Sequence, residues 1–273
     1  MSALPDDPAF DGSDLLATGT LRIIGRITTA SNVTLVAETV DGDRSLRCVY
    51  KPIRGERPLW DFPDGTLAGR EVASYLVSEA LGWGVIPETI LRDGPLGLGM
   101  VQRWIDSVDN HTDAGDRLDL IDLVPAGAVP DGFLEVLQAY GPGGEEVSLI
   151  HADDPRLMRV AVLDVLINNA DRKGGHALEG LDGQVYGVDH GITMHSHHKL
   201  RTVLWGWADE PIDDGLMADV LRLSRASGEL TDQLAEHITD CEIEALQHRM
   251  AALLARPVMP RPSSHRPIPW PAF

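Results

Sequence analysis

Asn168-Asn169-Ala170-Asp171-Arg172-Lys173-Gly174-Gly175-His176, followed by Val188-Asp189-His190-Gly191, decides how the rest of the chain is read. Asp171 stands in a glycine-containing loop behind a strongly apolar run, residues 157–167, opened by Pro155-Arg156 and apolar almost all round, as a buried helix is. A carboxylate so placed can accept or orient the proton of an attacking hydroxyl. Asp189 follows Gln184-Val185-Tyr186-Gly187-Val188, which reads as a short strand, and Gly191 offers a sharp turn behind it. An Asp in that setting can hold a divalent metal against phosphates, with His176 supplying a further ligand from the first loop. The spacing suits phosphoryl transfer.

Upstream, residues 15–53 read as strands. Runs rich in β-branched residues at 21–27 and 33–39 precede Asp41-Gly42-Asp43, a hairpin turn, and then Leu46-Arg47-Cys48-Val49-Tyr50-Lys51. The period changes over residues 69–83, where Val72, Tyr75, Leu76 and Ala80 recur at helical spacing. Strands are expected again near residues 88–91 and 99–104. Residues 106–150 hold scattered Asp, Gly and Pro and read as a linker or insertion with short helices. Two helices are expected at 213–225 and 230–255, then an extended proline-rich tail at 257–273. The expected organisation is therefore α+β: a sheet-rich amino lobe at 15–105, the linker at 106–150, a helical carboxyl lobe at 151–256, and the tail. That outline is a two-lobed, protein-kinase-like fold.

Composition narrows the partners. The hydrophobic fraction of 43% and charged fraction of 24% over 273 residues are those of an ordinary globular protein with room for a core. With 42 acidic side chains against 23 Lys plus Arg, the formal charge is −19, which repels nucleic-acid phosphates and anionic headgroups. No nucleic-acid partner is expected. Residues 1–12 lack the basic start and apolar core of a signal peptide, and no run is long enough to span a bilayer, so a cytoplasmic protein without integral membrane association is expected. Cys48 and Cys241 fit no metal or redox spacing and read as buried thiols.

Other positions line up with a nucleotide. Residues 25–32 join two strands and carry Thr28, Thr29, Ser31 and Asn32, whose hydroxyls and amides can face phosphate oxygens. Lys51 ends an apolar strand, where an ammonium needs a partner, and Glu71 at the start of the next helix is a suitable one. Gln102-Arg103-Trp104 falls where the two lobes would meet. Beyond Asp189, His195, His197 and His198 are interleaved with Ser196 and Lys199 and followed by Arg201. Such a run is a polar loop, a metal site, or a local cationic patch for an anionic substrate group held by Lys199 and Arg201. Trp205 and Trp207 read as packing anchors.

Asn169-Ala170-Asp171-Arg172 with Val188-Asp189-His190-Gly191 resembles the catalytic and metal-binding loops of the phosphatidylinositol 3-/4-kinase-like group, with type II phosphatidylinositol 4-kinases and HipA-like kinases nearest. The chain is also similar to an actinobacterial kinase-related conserved hypothetical family. Val49-Tyr50-Lys51-Pro52, Gly69-Arg70-Glu71-Val72-Ala73 and Leu81-Gly82-Trp83-Gly84-Val85-Ile86-Pro87 resemble the amino-lobe pattern of that wider group. The resemblance implies ATP and a divalent metal, Mg2+ or Mn2+, as cofactors. It implies Lys51 on the nucleotide phosphates with Glu71 as its partner, Asp171 as catalytic base with Arg172 beside it, and Asp189 as metal ligand. His176 stands where the group has Asn, and imidazole suits Mn2+ or Zn2+ better than Mg2+. The expected activity is ATP-dependent transfer of a phosphoryl group to an alcohol of a small molecule, lipid headgroup or protein. The alternatives are a nucleotide-binding pseudokinase without turnover, nucleotidyl transfer, and metal-dependent hydrolysis through the His run.

Overall fold

In the computed structural model, which describes residues 13–28, 30, 32–108, 118–141 and 143–273, the chain divides into two compact units. One comprises Met1–Arg57 and Glu88–Trp104, the other Pro58–Pro87 and Ile105–Phe273. The first is a sheet unit. A short helix, α1 (Ser13–Thr18), precedes the antiparallel strands β1 (Thr20–Ile27), β2 (Thr34–Asp41), β3 (Arg44–Pro52), β4 (Thr89–Gly94) and β5 (Gly97–Arg103). They lie in the order β1-β2-β3-β5-β4. Alternation along β2 and β3 turns Leu35, Ala37, Cys48 and Tyr50 to one face, where they pack with Leu16, Leu21 and Val101. α1 departs from the strand expected at its position. Its Leu15 and Leu16 are both buried, and the Gly19 amide closes the turn on the Leu15 carbonyl. Burial of adjacent residues suits a helix end capping a sheet better than a strand, which alternates.

The second unit is mainly helical. Helix α2 (Leu67–Leu81) is capped by the Thr66 hydroxyl and stopped by Gly82 in the left-handed conformation. Then come β6 (Ile121–Pro125), β7 (Phe133–Tyr140), β8 (Glu146–Ala152), α3 (Pro155–Ile167), β9 (Ala177–Glu179), β10 (Val185–Gly187), α4 (Asp214–Arg225), α5 (Ser227–Leu234) and α6 (Asp240–Ala255). Asp154 caps α3, with Pro155 in its first turn. α3 contributes Leu157, Val160, Leu163, Leu166 and Ile167 to a core shared with α2, α4 and α6. Each such fully buried aliphatic side chain contributes roughly 1.5–3 kcal/mol. No helix among the described residues is long and apolar enough to cross a membrane.

Three local expectations change. Where short helices were expected within 106–150, residues 121–152 form an antiparallel sheet, β6-β8-β7, and residues 109–117 and 142 lie outside the described residues. Its β7 strand, Phe-Leu-Glu-Val-Leu-Gln-Ala-Tyr, is rich in good helix formers, and a register shift between Glu135 and Leu137 breaks its alternation. Pairing with the more deeply buried β8 overrides local propensity here. The single helix expected over 230–255 is two, α5 and α6. The break carries its own signal: Thr239 and Glu242 form a reciprocal capping box at the start of α6. Of the two thiols, Cys48 is buried and Cys241 exposed.

Candidate functional site

The loop that opens with Asn168 is fastened residue by residue within the helical unit. Asn168 ends α3 in the left-handed conformation, φ 55°, which Asn tolerates better than most side chains. Its Nδ2 donates to the carbonyls of His195 and His197, at 2.9 and 2.7 Å, and its Oδ1 accepts from the Lys199 amide at 2.9 Å. Asn169 donates to Asp164 Oδ1 at 2.9 Å and accepts the Asp171 amide at 2.9 Å, setting the backbone of the candidate base. The Ala170 amide donates to the Ile192 carbonyl and the Arg172 amide to the Arg201 carbonyl.

Arg172 points inward. Its side chain is fully buried and all five N–H donors have acceptors. Nε and Nη2 grip Asp164 side-on at 2.8 Å each, and Nη2 also donates to His190 Nε2 at 2.7 Å. Nη1 donates to the His176 carbonyl at 2.7 Å and the Val188 carbonyl at 3.3 Å. A guanidinium has no acceptor, so His190 must carry its proton on Nδ1. A Cβ on Gly187 would come within 2.9 Å of Arg172 Nη2 and 3.1 Å of the His190 ring, which explains the glycine. Arg172 was expected in the catalytic pair beside Asp171. Its burial instead makes it the tie that holds both ends of the β9–β10 hairpin. Asp164 and His190 did not figure among the expected site residues. Asp164 is the one acid in the α3 sequence, a buried carboxylate that demanded a partner.

Asp171 itself stays partly exposed, with Lys173 Nζ 3.3 Å from its Oδ2. Burial pushes the Asp171 carboxyl above its ordinary range; Lys173 opposes the rise and the charge of Asp189 adds to it. His176 Nδ1 lies 3.0 Å from the Asp171 carbonyl, which only accepts, so Nδ1 carries the proton. Nε2 then faces Asp189 Oδ2, 3.5 Å away, and if it is unprotonated both atoms are acceptors. Two acceptors facing each other at that distance need a cation between them or a proton on the imidazole. A metal-binding His is held in a similar way, one nitrogen on a carbonyl or carboxylate while the other meets the metal. The residues therefore fit a divalent ion through one nitrogen and one carboxylate oxygen, leaving further positions for phosphate and water oxygens. Among the described residues no group of three or more His, Cys, Asp or Glu forms a fuller ligand set. A sharp turn was expected at Gly191, and the left-handed residue of this segment is Asp189, φ 59°. Gly191 instead lies against Leu67 and Glu71.

Helix α2 secures this segment from its first turns. Glu71, 2% exposed, accepts the His190 amide at 3.2 Å. Its neighbour Arg70 donates to the Thr193 carbonyl at 2.8 Å and pairs with Glu242 of α6 at 2.6 Å, both side chains buried. Lys51 belongs to the other unit, half-buried near the end of β3 opposite Met100. There Asn32 Oδ1 accepts the Arg57 amide at 2.9 Å. Gln102 is buried and donates to Thr89 Oγ1 at 2.8 Å, which ties β5 to β4. Trp104 lies under the Arg47 guanidinium, 5.7 Å from the ring centroid. Thr29 and Ser31 lie outside the described residues.

The segment after Asp189 is also held by specific contacts. Lys199 Nζ is bonded to Asp61 at 3.2 Å and lies over the Phe62 ring, so its charge is already matched. Arg201 contributes its backbone to the loop, its amide donating to the Asn169 carbonyl at 2.9 Å. His195 packs edge-on against Phe62, and His198 Nε2 is 3.0 Å from Ser263 Oγ. Burial lowers the pKa of both imidazoles. Trp205 and Trp207 are buried, and their indole N–H groups donate to the Pro267 carbonyl and to Asp153.

These features define an α+β protein with a sheet unit, a helical unit and an acidic loop pair, Asp171 and Asp189, bridged by His176. The chain belongs to the family of Protein Rv2133c of Mycobacterium tuberculosis, with which it is 58% identical over 268 residues, 96% of each chain. No protein-family model matches it. Among solved structures it is similar to the Helicobacter pylori proinflammatory kinase CtkA, with 10% identity, 89% of this chain and 94% of the other covered, and a TM-score of 0.45.

Proposed function

We propose that the protein is a nucleotide-dependent phosphotransferase with an alcohol acceptor, using ATP and a divalent metal. Asp171 takes the acceptor proton as its oxygen bonds to the γ-phosphorus. The bond from that phosphorus to the bridging oxygen breaks, and ADP leaves with the electron pair. Asp189 and His176 hold the metal, whose charge neutralises the phosphates when bound. Lys51 is assigned to the nucleotide phosphates from the sequence resemblance. Glu71 is given a further role, holding the His190 amide and with it the segment that carries Asp189.

One observation supports this above the rest: the Asp171 carbonyl fixes the His176 tautomer so that Nε2 faces Asp189, while the Asp171 carboxyl stands partly buried beside them. In this reading the base and one of the two metal ligands come from the same short loop. The acceptor is a small molecule, lipid headgroup or protein side chain.

The test is incubation of purified protein with γ-labelled and α-labelled ATP in Mg2+ or Mn2+. Label passing from the γ position, lost in Asp171→Asn, supports phosphoryl transfer; label passing from the α position points to nucleotidyl transfer. Nucleotide binding without transfer or hydrolysis identifies a pseudokinase, the alternative that the two-donor metal site favours. No nucleotide binding overturns both.

A further inference from the structure

The helical unit contains a second concave site, whose lining includes none of Asp171, His176 and Asp189 and whose chemistry is different. It is an open cavity of about 640 Å³ where α6, the turn at Asp209 and the segment after α6 meet, a size usual for small-molecule sites. Leu253 and Met259 give it an apolar floor, both buried. Its charged lining is Arg249, Arg256 and Arg261 against a single carboxylate, Asp209. Three guanidiniums facing one acid is a local excess of positive charge on a chain of net −19.

The arginines differ in how they are satisfied. Arg261 Nε is bonded to Asp209, and Arg256 reaches the same carboxylate at 3.8 Å; both arginine side chains are otherwise mostly exposed. Arg249 is half-buried. Its Nε donates to the Leu166 carbonyl at 2.7 Å and its Nη1 to the His195 carbonyl at 3.3 Å. Its Nη2 is sealed from solvent and meets no acceptor among the described residues. That nitrogen faces protein rather than the open cavity, so Arg249 contributes its charge to the cavity and not this donor. Burial pulls the Arg249 pKa down to about 10, so it stays cationic near neutrality. The neighbouring His198 imidazole is held below its usual pKa by burial and by the Arg249 charge. The positive charge facing the cavity therefore belongs to the arginines.

We propose that this cavity binds a small organic anion with an apolar body, its anionic head between the exposed guanidiniums of Arg256 and Arg261 and near the charge of Arg249, its body against Leu253 and Met259. A medium-chain carboxylate and a phosphate monoester of an aromatic alcohol share this chemistry. Guanidinium forks match either head group. The site is independent of the proposed phosphotransfer.

Titration calorimetry of the full chain with octanoate and with phenyl phosphate tests the assignment, with 1-octanol and phenol as neutral counterparts. At least one anion is expected to bind with a stoichiometry of one and to weaken as salt rises. Preference for octanoate identifies a carboxylate site, and preference for phenyl phosphate a phosphate-ester site. The double substitution of Arg256→Gln and Arg261→Gln, at exposed positions, is expected to weaken binding about a hundredfold, the effect of losing two charge-assisted contacts. Ala252→Trp, which fills the cavity mouth, is expected to abolish it. Asp171→Asn should bind the anion as the wild type does, which separates this site from the phosphotransfer centre. Anions that bind no more tightly than their neutral counterparts, or binding untouched by both the double Gln variant and Ala252→Trp, would overturn the proposal.

Discussion

Arg172 and Asp164 form a bidentate pair, two hydrogen bonds of 2.8 Å, with neither side chain exposed to solvent. Because the other donors of Arg172 hold His176, Val188 and His190, the pair joins α3 to both ends of the hairpin that lies between His176 and Asp189. Asp164→Ala leaves a buried guanidinium without its counter-charge and is expected to destabilise the protein by about 3–5 kcal/mol. Asp164→Asn keeps an acceptor and should cost less. Thermal denaturation of the two variants checks the order; an Asp164→Ala protein as stable as the wild type would show that the pair is not a structural tie.

Much of this region is legible in the sequence, and the limit is instructive. Asp171, His176 and Asp189 are spaced so that a loop and a short hairpin bring them near one another, a consequence of local chain geometry. The inward direction of Arg172 is not local. It depends on an acid that lies on α3 and on His190 beyond the hairpin, and only the folded chain joins the three. Asp164 could have been noticed, because a lone acid in a helix apolar almost all round must find a cation. The sheet over residues 121–152 was hidden for another reason. Its β7 strand has the composition of a helix, and its conformation follows from pairing with β8. Lys199 and Arg201 read as a cationic patch because Asp61, the partner of Lys199, is distant in sequence.

The Asp171 carboxyl gives a pH-dependent prediction. Burial sets its folded pKa above the unfolded value of about 3.9. Above the folded pKa the ionised carboxylate therefore weakens the fold, and the penalty fades as pH falls through that value toward the unfolded one. Asp171→Asn should raise Tm at neutral pH and match the wild type once the medium is more acidic than the unfolded pKa. In an activity assay the same shift places the acid limb of kcat above the ordinary carboxylate range. A variant less stable than wild type at neutral pH would contradict the burial argument.

His176 should determine the metal. With its Nδ1 proton on the Asp171 carbonyl, Nε2 is the donor available to an ion shared with Asp189. Mn2+ added to the protein is expected to show nitrogen coupling in pulsed electron paramagnetic resonance, lost in His176→Asn. The same substitution replaces imidazole by an oxygen donor and should shift binding from Mn2+ toward Mg2+. Unchanged coupling in the variant would remove His176 from the metal site.

The buried pair of Arg70 and Glu242 links α2 to α6, and Glu242 also completes the capping box at Thr239. Glu242→Ala removes both and should cost about 3–5 kcal/mol for the stranded guanidinium, with about 1 kcal/mol more for the cap. Glu242→Gln retains an acceptor and should be milder. Because Arg70 and Glu71 grip the same 190–193 segment, Glu242→Ala is also expected to increase amide exchange at His190, measured by hydrogen–deuterium exchange.

Gly174 and Phe273 make the last prediction. The Gly174 amide donates to the Ala272 carbonyl at 2.8 Å, and a Cβ at Gly174 would overlap the Phe273 ring. The chain after α6 thus returns to the loop that carries Asp171 and His176. Gly174→Ala must move either the ring or the loop and is expected to cost about 1–3 kcal/mol, the range of small-to-large changes in packed sites. Phe273→Ala removes the obstacle, so in that background Gly174→Ala should cost almost nothing. Such non-additivity is the signature of two side chains in direct contact. Chemical denaturation of the two single variants and the double variant measures it. Additive losses would mean that Phe273 does not rest on Gly174 in solution, and that the loop keeps its shape without the returning chain.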